Sequence, residues 1–163
     1  MRSVVMAVGV LCAAAAIGMA SPARAQETVT ARAQVVDGGT LRLDGHAIRL
    51  WGIAVPEANR PDGLRATIGL FRLIDGRIVS CHLNDGRDPH ALYWGKCEAA
   101  GLDIGALMVD GGYARDCTAQ SNARYRIQEQ RARDKGSDIV ATFELPPSCD
   151  GHQTARARKS PAG

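Results

Sequence analysis

The sequence predicts an α+β domain built as a small β-barrel flanked by helices, and three observations carry that prediction. Residues 30 to 53 alternate apolar and polar positions in two blocks, Ala33 to Leu43 and His46 to Ile53, parted by Asp44 and Gly45. An Asp-Gly pair between alternating blocks is a strong hairpin marker. Gly63 to Ile74 then changes period, with Leu64, Ile68 and Phe71, and Leu70 and Ile74, at three- and four-residue spacings, the pattern of an amphipathic helix. Strand patterns resume after it, so that strands, a helix, two strands and two helices fill about 125 residues, an order that suits a barrel with helices packed outside.

The elements follow in turn. A second Asp-Gly pair, Asp37 and Gly38, interrupts the first alternating block and marks an earlier turn. Asp75 and Gly76 end the first helix. Arg77 to Leu83 forms a strand, and Tyr93 to Ala99 is its antiparallel partner across a polar loop containing Asp85, Gly86, Asp88 and Pro89. Asp103 is an N-cap for a short helix, Ile104 to Asp110, which Gly111 and Gly112 stop. A third helix spans Asn122 to Lys135 and ends at Gly136. The polar stretch after Cys149 lacks periodicity and reads as a disordered tail, basic over residues 151–163.

The first 25 residues stand apart. Arg2 precedes an apolar stretch from Val4 to Ala20, then Ser21, Pro22 and the small-x-small run Ala23, Arg24, Ala25, which is the pattern of a secretory signal peptide cleaved before Gln26. A membrane anchor is the other reading, although the run is near the lower length limit for spanning a bilayer. No later segment is apolar enough to span, so the mature chain is expected in the periplasm or outside the cell, with no membrane attachment. Two of the 20 basic residues and none of the 17 acidic ones leave with such a signal, and the remainder carries +1. Arg156, Arg158 and Lys159 lie in the tail, so residues 26 to 150 carry −2. A domain that grips nucleic acid through its phosphates usually shows a basic excess. A protein or polysaccharide partner is therefore favoured, and any DNA binding is expected to track the tail and fall steeply with salt.

Cys12 lies within the signal, leaving Cys81, Cys97, Cys117 and Cys149, an even number that in an exported chain suggests two disulfides. Their spacings do not suit zinc, since there is no CxxC pair and the nearest histidine, His82, adjoins Cys81. His46, His82 and His90 fall on a turn, a strand end and a loop with no second histidine at ligand spacing. No metal site is expected.

Several stretches together resemble one family. VVDGGTLRLDGHAIRLWGIAVPE, Val35 to Glu57, resembles the opening signature of the thermonuclease (staphylococcal nuclease-like) family. YWGKCEAAGLDIGALMVDGGYA, Tyr93 to Ala114, is similar to that family's fifth strand and second helix, and ARYRIQEQRARDKG, Ala123 to Gly136, to its last helix. The resemblance implies a five-stranded OB-fold barrel with three helices. It also implies phosphodiester chemistry in which calcium holds the phosphate, a glutamate activates water and two arginines neutralise charge.

The site residues that this chemistry needs are incomplete. The first metal aspartate of the family's Asp-Gly-Asp-Thr is Gly39 here, and the second, expected before Pro56 and Glu57, is Ala54. The second arginine is replaced by Leu92. Arg49 and Glu57 survive at the positions of the first arginine and the general base, where, without a metal, they can simply pair with each other. A hard cation needs oxygen ligands that Gly39 and Ala54 do not supply, so no calcium cofactor is expected. Asp37 reads as a turn former, and Arg87 and Asp88 lie in the loop before Leu92, from which they could swing inward as substitutes.

The resemblance thus points to an exported binding or accessory protein that has lost its chemistry. Size and export also resemble a small exported member of the family associated with exopolysaccharide (succinoglycan) production, which implies a role in exopolysaccharide biosynthesis. The competing function is a secreted calcium-dependent nuclease with a rearranged site. Four cysteines permit three pairings. Antiparallel pairing of the strands carrying Cys81 and Cys97 favours a bond across that hairpin, which leaves Cys117 and Cys149 to tie down the C-terminal segment.

Overall fold

In the computed structural model, residues 26–88 and 90–149 are described; the expected signal (1–25) and basic tail (151–163) lie outside them. The main sheet is built from β1 (Thr28–Arg32), β2 (Gln34–Asp37), β3 (Thr40–Leu43), β4 (His46–Leu50), β6 (Ile78–Arg87) and β7 (Tyr93–Ala99). Its strand order is β1-β6-β7-β4-β3-β2, antiparallel throughout except for the β4–β7 pair, which is parallel. The two ends of this path, β1 and β2, are separated in sequence by Ala33 alone, so one bent strand forms both edges and the sheet curls around a core. Five long strands, counting β1 and β2 as one, in this order are consistent with an OB-like barrel. Short strands complete the fold: β8 (Leu102–Asp103) extends β7, and β5 (Ile53–Ala54) pairs with β9 (Arg115–Asp116) in a separate ladder.

Alternation decides which side chains fill the barrel. Leu41 and Leu43 of β3, Ile48 and Leu50 of β4, Val79, Cys81 and Leu83 of β6, and Cys97 and Ala99 of β7 point inward and are buried, while Arg42, His82, Lys96 and Glu98 between them are exposed. The β3–β4 turn places Asp44 and Gly45 at φ 44° and 79°, as a two-residue hairpin turn of Asp-Gly requires. Cys81 faces Cys97 in register and is bonded to it inside the barrel, and a second disulfide joins Cys117 to Cys149. Replacing both Cys81 and Cys97 by alanine is expected to cost about 3 kcal/mol in the loop-entropy description, read as a lower urea midpoint with a steeper slope, because the unfolded chain without the cross-link exposes more surface.

Helices α1 (Pro61–Ile74), α2 (Ile104–Asp110), α3 (Thr118–Ser121), α4 (Arg126–Asp134) and α5 (Asp138–Thr142) pack outside the sheet. The expectation of three helices is corrected to five α-helices among the described residues. The single helix expected over Asn122 to Lys135 starts only at Arg126, because Asn122 and Ala123 adopt left-handed φ values of 56° and 58° that end α3 and redirect the chain. α5 follows Gly136 and is capped by Ser137, whose Oγ accepts from the Val140 N–H. The strand expected to end at Leu83 continues to Arg87 through an irregularity in pairing, with Gly86 at φ 99°. Asp103 caps α2 as expected, accepting from the Ala106 N–H at 3.1 Å.

α1 begins at Pro61, two residues before the expected start, and turns its small residues inward: Gly63, Ala66 and Gly69 are buried with Leu70 and Ile74, whereas Leu64, Ile68 and Phe71 face outward. Close approach explains this choice. A Cβ on Gly63 would lie 1.8 Å from the Glu57 carbonyl oxygen, so the chain leading into α1 rests directly on its first turn and fixes where Glu57 stands.

Candidate functional site

The β2–β3 turn, β4 and the segment after β5 converge. Leu50 donates its N–H to the Gly39 carbonyl at 2.8 Å, joining the turn to the end of β4. Asp37 Oδ1 accepts from the Gly39 N–H at 2.8 Å, and Asp37 Oδ2 lies 3.9 Å from Arg49 Nη1, which also donates to Thr40 Oγ1 at 3.4 Å. Arg49 is therefore paired with Asp37. Glu57 is exposed in the approach to α1, and no ion pair joins it to Arg49 among the described residues, so the expected Arg49–Glu57 pairing is corrected.

Gly39 is buried, and a Cβ placed on it would meet Val55 Cγ2 at 2.8 Å. The volume that a longer side chain at position 39 would occupy is thus filled by an isopropyl group. Ala54 is 6% exposed and packs with Cys117 and Cys149, Phe143 and Leu145 in a second apolar cluster. Both positions face apolar atoms. Asp37 has one oxygen committed to a backbone amide and the other turned toward a guanidinium, so these residues do not fit a calcium ion, and no cluster of three or more His, Cys, Asp or Glu side chains suited to a metal occurs among the described residues.

Leu92 is half-buried just before β7, and its N–H donates to Asp88 Oδ1 at 2.9 Å. Asp88, 7% exposed, also accepts from the His90 N–H, so this carboxylate shapes the loop. Arg87 stacks 3.5 Å above the Tyr93 ring and donates to the Ala91 carbonyl. Neither residue swings inward as a substitute; each is held by its own loop. His46 opens β4 rather than lying in the turn, with Nε2 3.7 Å from Glu27 and its ring 5.3 Å from Tyr93, and His82 Nδ1 lies 2.9 Å from Thr28 Oγ1.

A buried polar cluster beside this region escaped the sequence reading. Glu129 of α4, 9% exposed, accepts through Oε1 from Arg115 Nε and Nη2, each at 3.1 Å, and from Arg133 Nη2 at 2.8 Å, while Oε2 accepts the Asp116 N–H at 2.8 Å. Asp116 is 1% exposed, receives a hydrogen bond from Ser121 Oγ and leaves Oδ2 without a partner. Burial raises its carboxyl above the ordinary value of 3.8, against the Ser121 hydrogen bond and with help from the Glu129 charge. The sequence signal available was only a helix rich in charge, which by itself indicates a solvated face.

Because Asp116 binds its proton more tightly in the folded chain than in the unfolded one, its contribution to stability is full below the unfolded pKa and is lost as pH rises through the folded one. Asp116→Asn is therefore expected to gain stability relative to the native chain as pH climbs from about 4 through the raised value, and then to hold a constant difference. Urea unfolding from acid to neutral pH, compared between the two proteins, checks the sign. At the start of α4, Tyr125 is buried and donates its hydroxyl to Asp103 at 3.1 Å; burial, and then the Asp103 charge, push its phenol upward.

No family model matches the chain. The chain is 26% identical over 137 residues to the succinoglycan biosynthesis protein ExoI of Rhizobium meliloti (strain 1021), an alignment covering 77% of this chain and 71% of that protein. The similarity is distant. The fold described above is a mixed α+β one with a curled sheet.

Proposed function

We propose that this chain is an exported, degenerate relative of the thermonucleases that acts without catalysis, as a binding or accessory protein in exopolysaccharide biosynthesis. The observation that carries the reading is the closure of the first metal position: Gly39 offers no ligand, and Val55 occupies the volume beside it. Ala54, buried against the Cys117–Cys149 disulfide, and Leu92 replace the second metal ligand and the second arginine of the resembled family. Phosphoryl transfer relies on positioning and on charge neutralisation by metal and arginine. Arg49, spent on Asp37, and an exposed Glu57 are remnants without that environment.

Export is supported by the signal-like residues 1–25 and by two disulfides, which persist in oxidising compartments. Among the described residues no helix is long and apolar enough to cross a membrane. A charge of −2 over residues 26 to 150 favours a polysaccharide or protein partner over nucleic acid. The name of the distant relative points to the same pathway class. Deleting the gene is expected to lower exopolysaccharide yield, and a Glu57→Ala copy is expected to restore it fully. A yield that is unchanged by deletion removes the role, and a folded, exported Glu57→Ala protein that fails to complement removes the non-catalytic claim.

A further inference from the structure

The two largest apolar side chains in the protein lie outside its core. Trp51 and Trp94 are half-buried, and neither packs into the barrel cluster or the cluster around Ala54. They pack instead on each other, edge to face, with ring centroids 5.7 Å apart and planes at 84°, forming a right-angled aromatic corner. A pair of indoles left at the surface has an apolar area that solvent hydrates poorly and that a flat apolar ligand face would cover.

Strand register places this corner in a defined row. Asp37 of β2 pairs with Thr40 of β3, Thr40 with Arg49 of β4, and Arg49 with Trp94 of β7. The inward side chains of the adjacent register positions are Leu41 and Ile48, so the row lies on the outer face of the barrel. A carboxylate, a guanidinium and an indole thus follow one another along the row, with the Trp51 indole packed on that of Trp94, while Thr40 between Asp37 and Arg49 is only 2% exposed.

We infer that this row is a binding site for a polysaccharide chain, with a pyranose ring stacked on Trp94 and Trp51 and its hydroxyls served by Arg49 and Asp37. A pyranose presents a face of C–H groups to an aromatic ring and a rim of hydroxyls that both donate and accept. Arg49 supplies donors and Asp37 acceptors within one group 3.9 Å apart, matching that rim. Charge separates this ligand from a nucleic acid. The Arg49 guanidinium is already compensated by Asp37, so the row offers little to a phosphate backbone, whose binding depends on uncompensated cations. The site rests on the exopolysaccharide reading above and gives it a location.

The test uses the chain's only two tryptophans, which both lie at the site, so intrinsic emission reports occupancy directly. Titrating purified succinoglycan into the mature protein is expected to shift or quench emission saturably. By calorimetry, Trp94→Leu and Trp51→Leu are each expected to weaken binding at least about tenfold, whereas Trp94→Phe, which keeps a ring, stays within about threefold. Circular-dichroism melts identify any variant that fails to fold, and Trp94→Phe keeps the test decisive in that event. Absence of binding by the native chain, or binding indifferent to both leucine substitutions, overturns the site. Oligothymidylate that binds more tightly than succinoglycan and displaces it assigns the row to nucleic acid instead. Failure of the site alone would leave the deletion phenotype intact, while an unchanged yield beside tryptophan-dependent binding would remove the role and keep the site.

Discussion

The purified mature protein is expected to release no nucleotides from DNA or RNA above a buffer blank at millimolar calcium, and restoring the missing groups is expected to fail as well. Each absent electrostatic group commonly costs a factor of about 10² to 10³, and on the function proposed above Gly39, Ala54 and Leu92 stand for three of them. The surroundings of two of these positions are closed. Gly39→Asp drives its Cβ to 2.8 Å from Val55 Cγ2, an overpacking that costs about 1 to 3 kcal/mol. Ala54→Asp places a carboxylate among Cys117, Cys149, Phe143 and Leu145, where an unpaired charge costs several kcal/mol. The triple variant Gly39→Asp, Ala54→Asp, Leu92→Arg should therefore melt well below the native chain and remain inactive. Adding Val55→Ala should recover the loss due to position 39 and not that due to position 54. Calcium-dependent cleavage by the native protein that vanishes in Glu57→Ala, or activity regained by the triple variant, would show that the site keeps a working geometry.

The strands and the two central helices were legible because their signals are local. Period-2 alternation, Asp-Gly turns, the Asp103 cap and the glycines after Asp110 all act within a few residues. The C-terminal third was less legible for the converse reason. Asn122 and Ala123 break a helix that charge spacing alone would continue, and the break is maintained by tertiary packing, with Tyr125 buried against Asp103 and Gly52. Similarly, Arg49 and Glu57 suggested a pair by their charges, but strand register set Arg49 beside Thr40 and within reach of Asp37. The absence of aspartates at 39 and 54 could be read directly, whereas the apolar atoms that fill their places required the fold. Val55 and the disulfide beside Ala54 reach those positions from elsewhere in the chain.

Among substitutions of buried polar groups, Glu129→Ala is expected to be the most damaging, at about 3 to 5 kcal/mol, or roughly 10 to 20 °C in melting temperature for a domain of this size. Its carboxylate receives three guanidinium hydrogen bonds and one backbone N–H while only 9% exposed. Removing it strands the Arg115 side chain, 18% exposed, and orphans the Asp116 amide. Arg115 and Asp116 form β9, which pairs with Ile53 and Ala54 of β5, and Arg115 also donates to the Phe143 carbonyl at 2.8 Å. One carboxylate on α4 thus fastens the ladder that carries Ala54 and, beyond it, Val55. Glu129→Gln, which keeps the shape and one acceptor oxygen for the guanidinium groups but turns an NH2 donor toward the Asp116 N–H, should still lose less than Glu129→Ala, and Asp134→Ala, which removes an exposed contact to Gln130, should stay within about 0.5 kcal/mol. A double-mutant cycle with Arg115→Ala isolates the coupling between the two buried charges. A Glu129→Ala protein that melts within a degree or two of the native chain would mean that α4 is held by its apolar contacts alone, with Ala132 and Tyr125 sufficient to keep it in place.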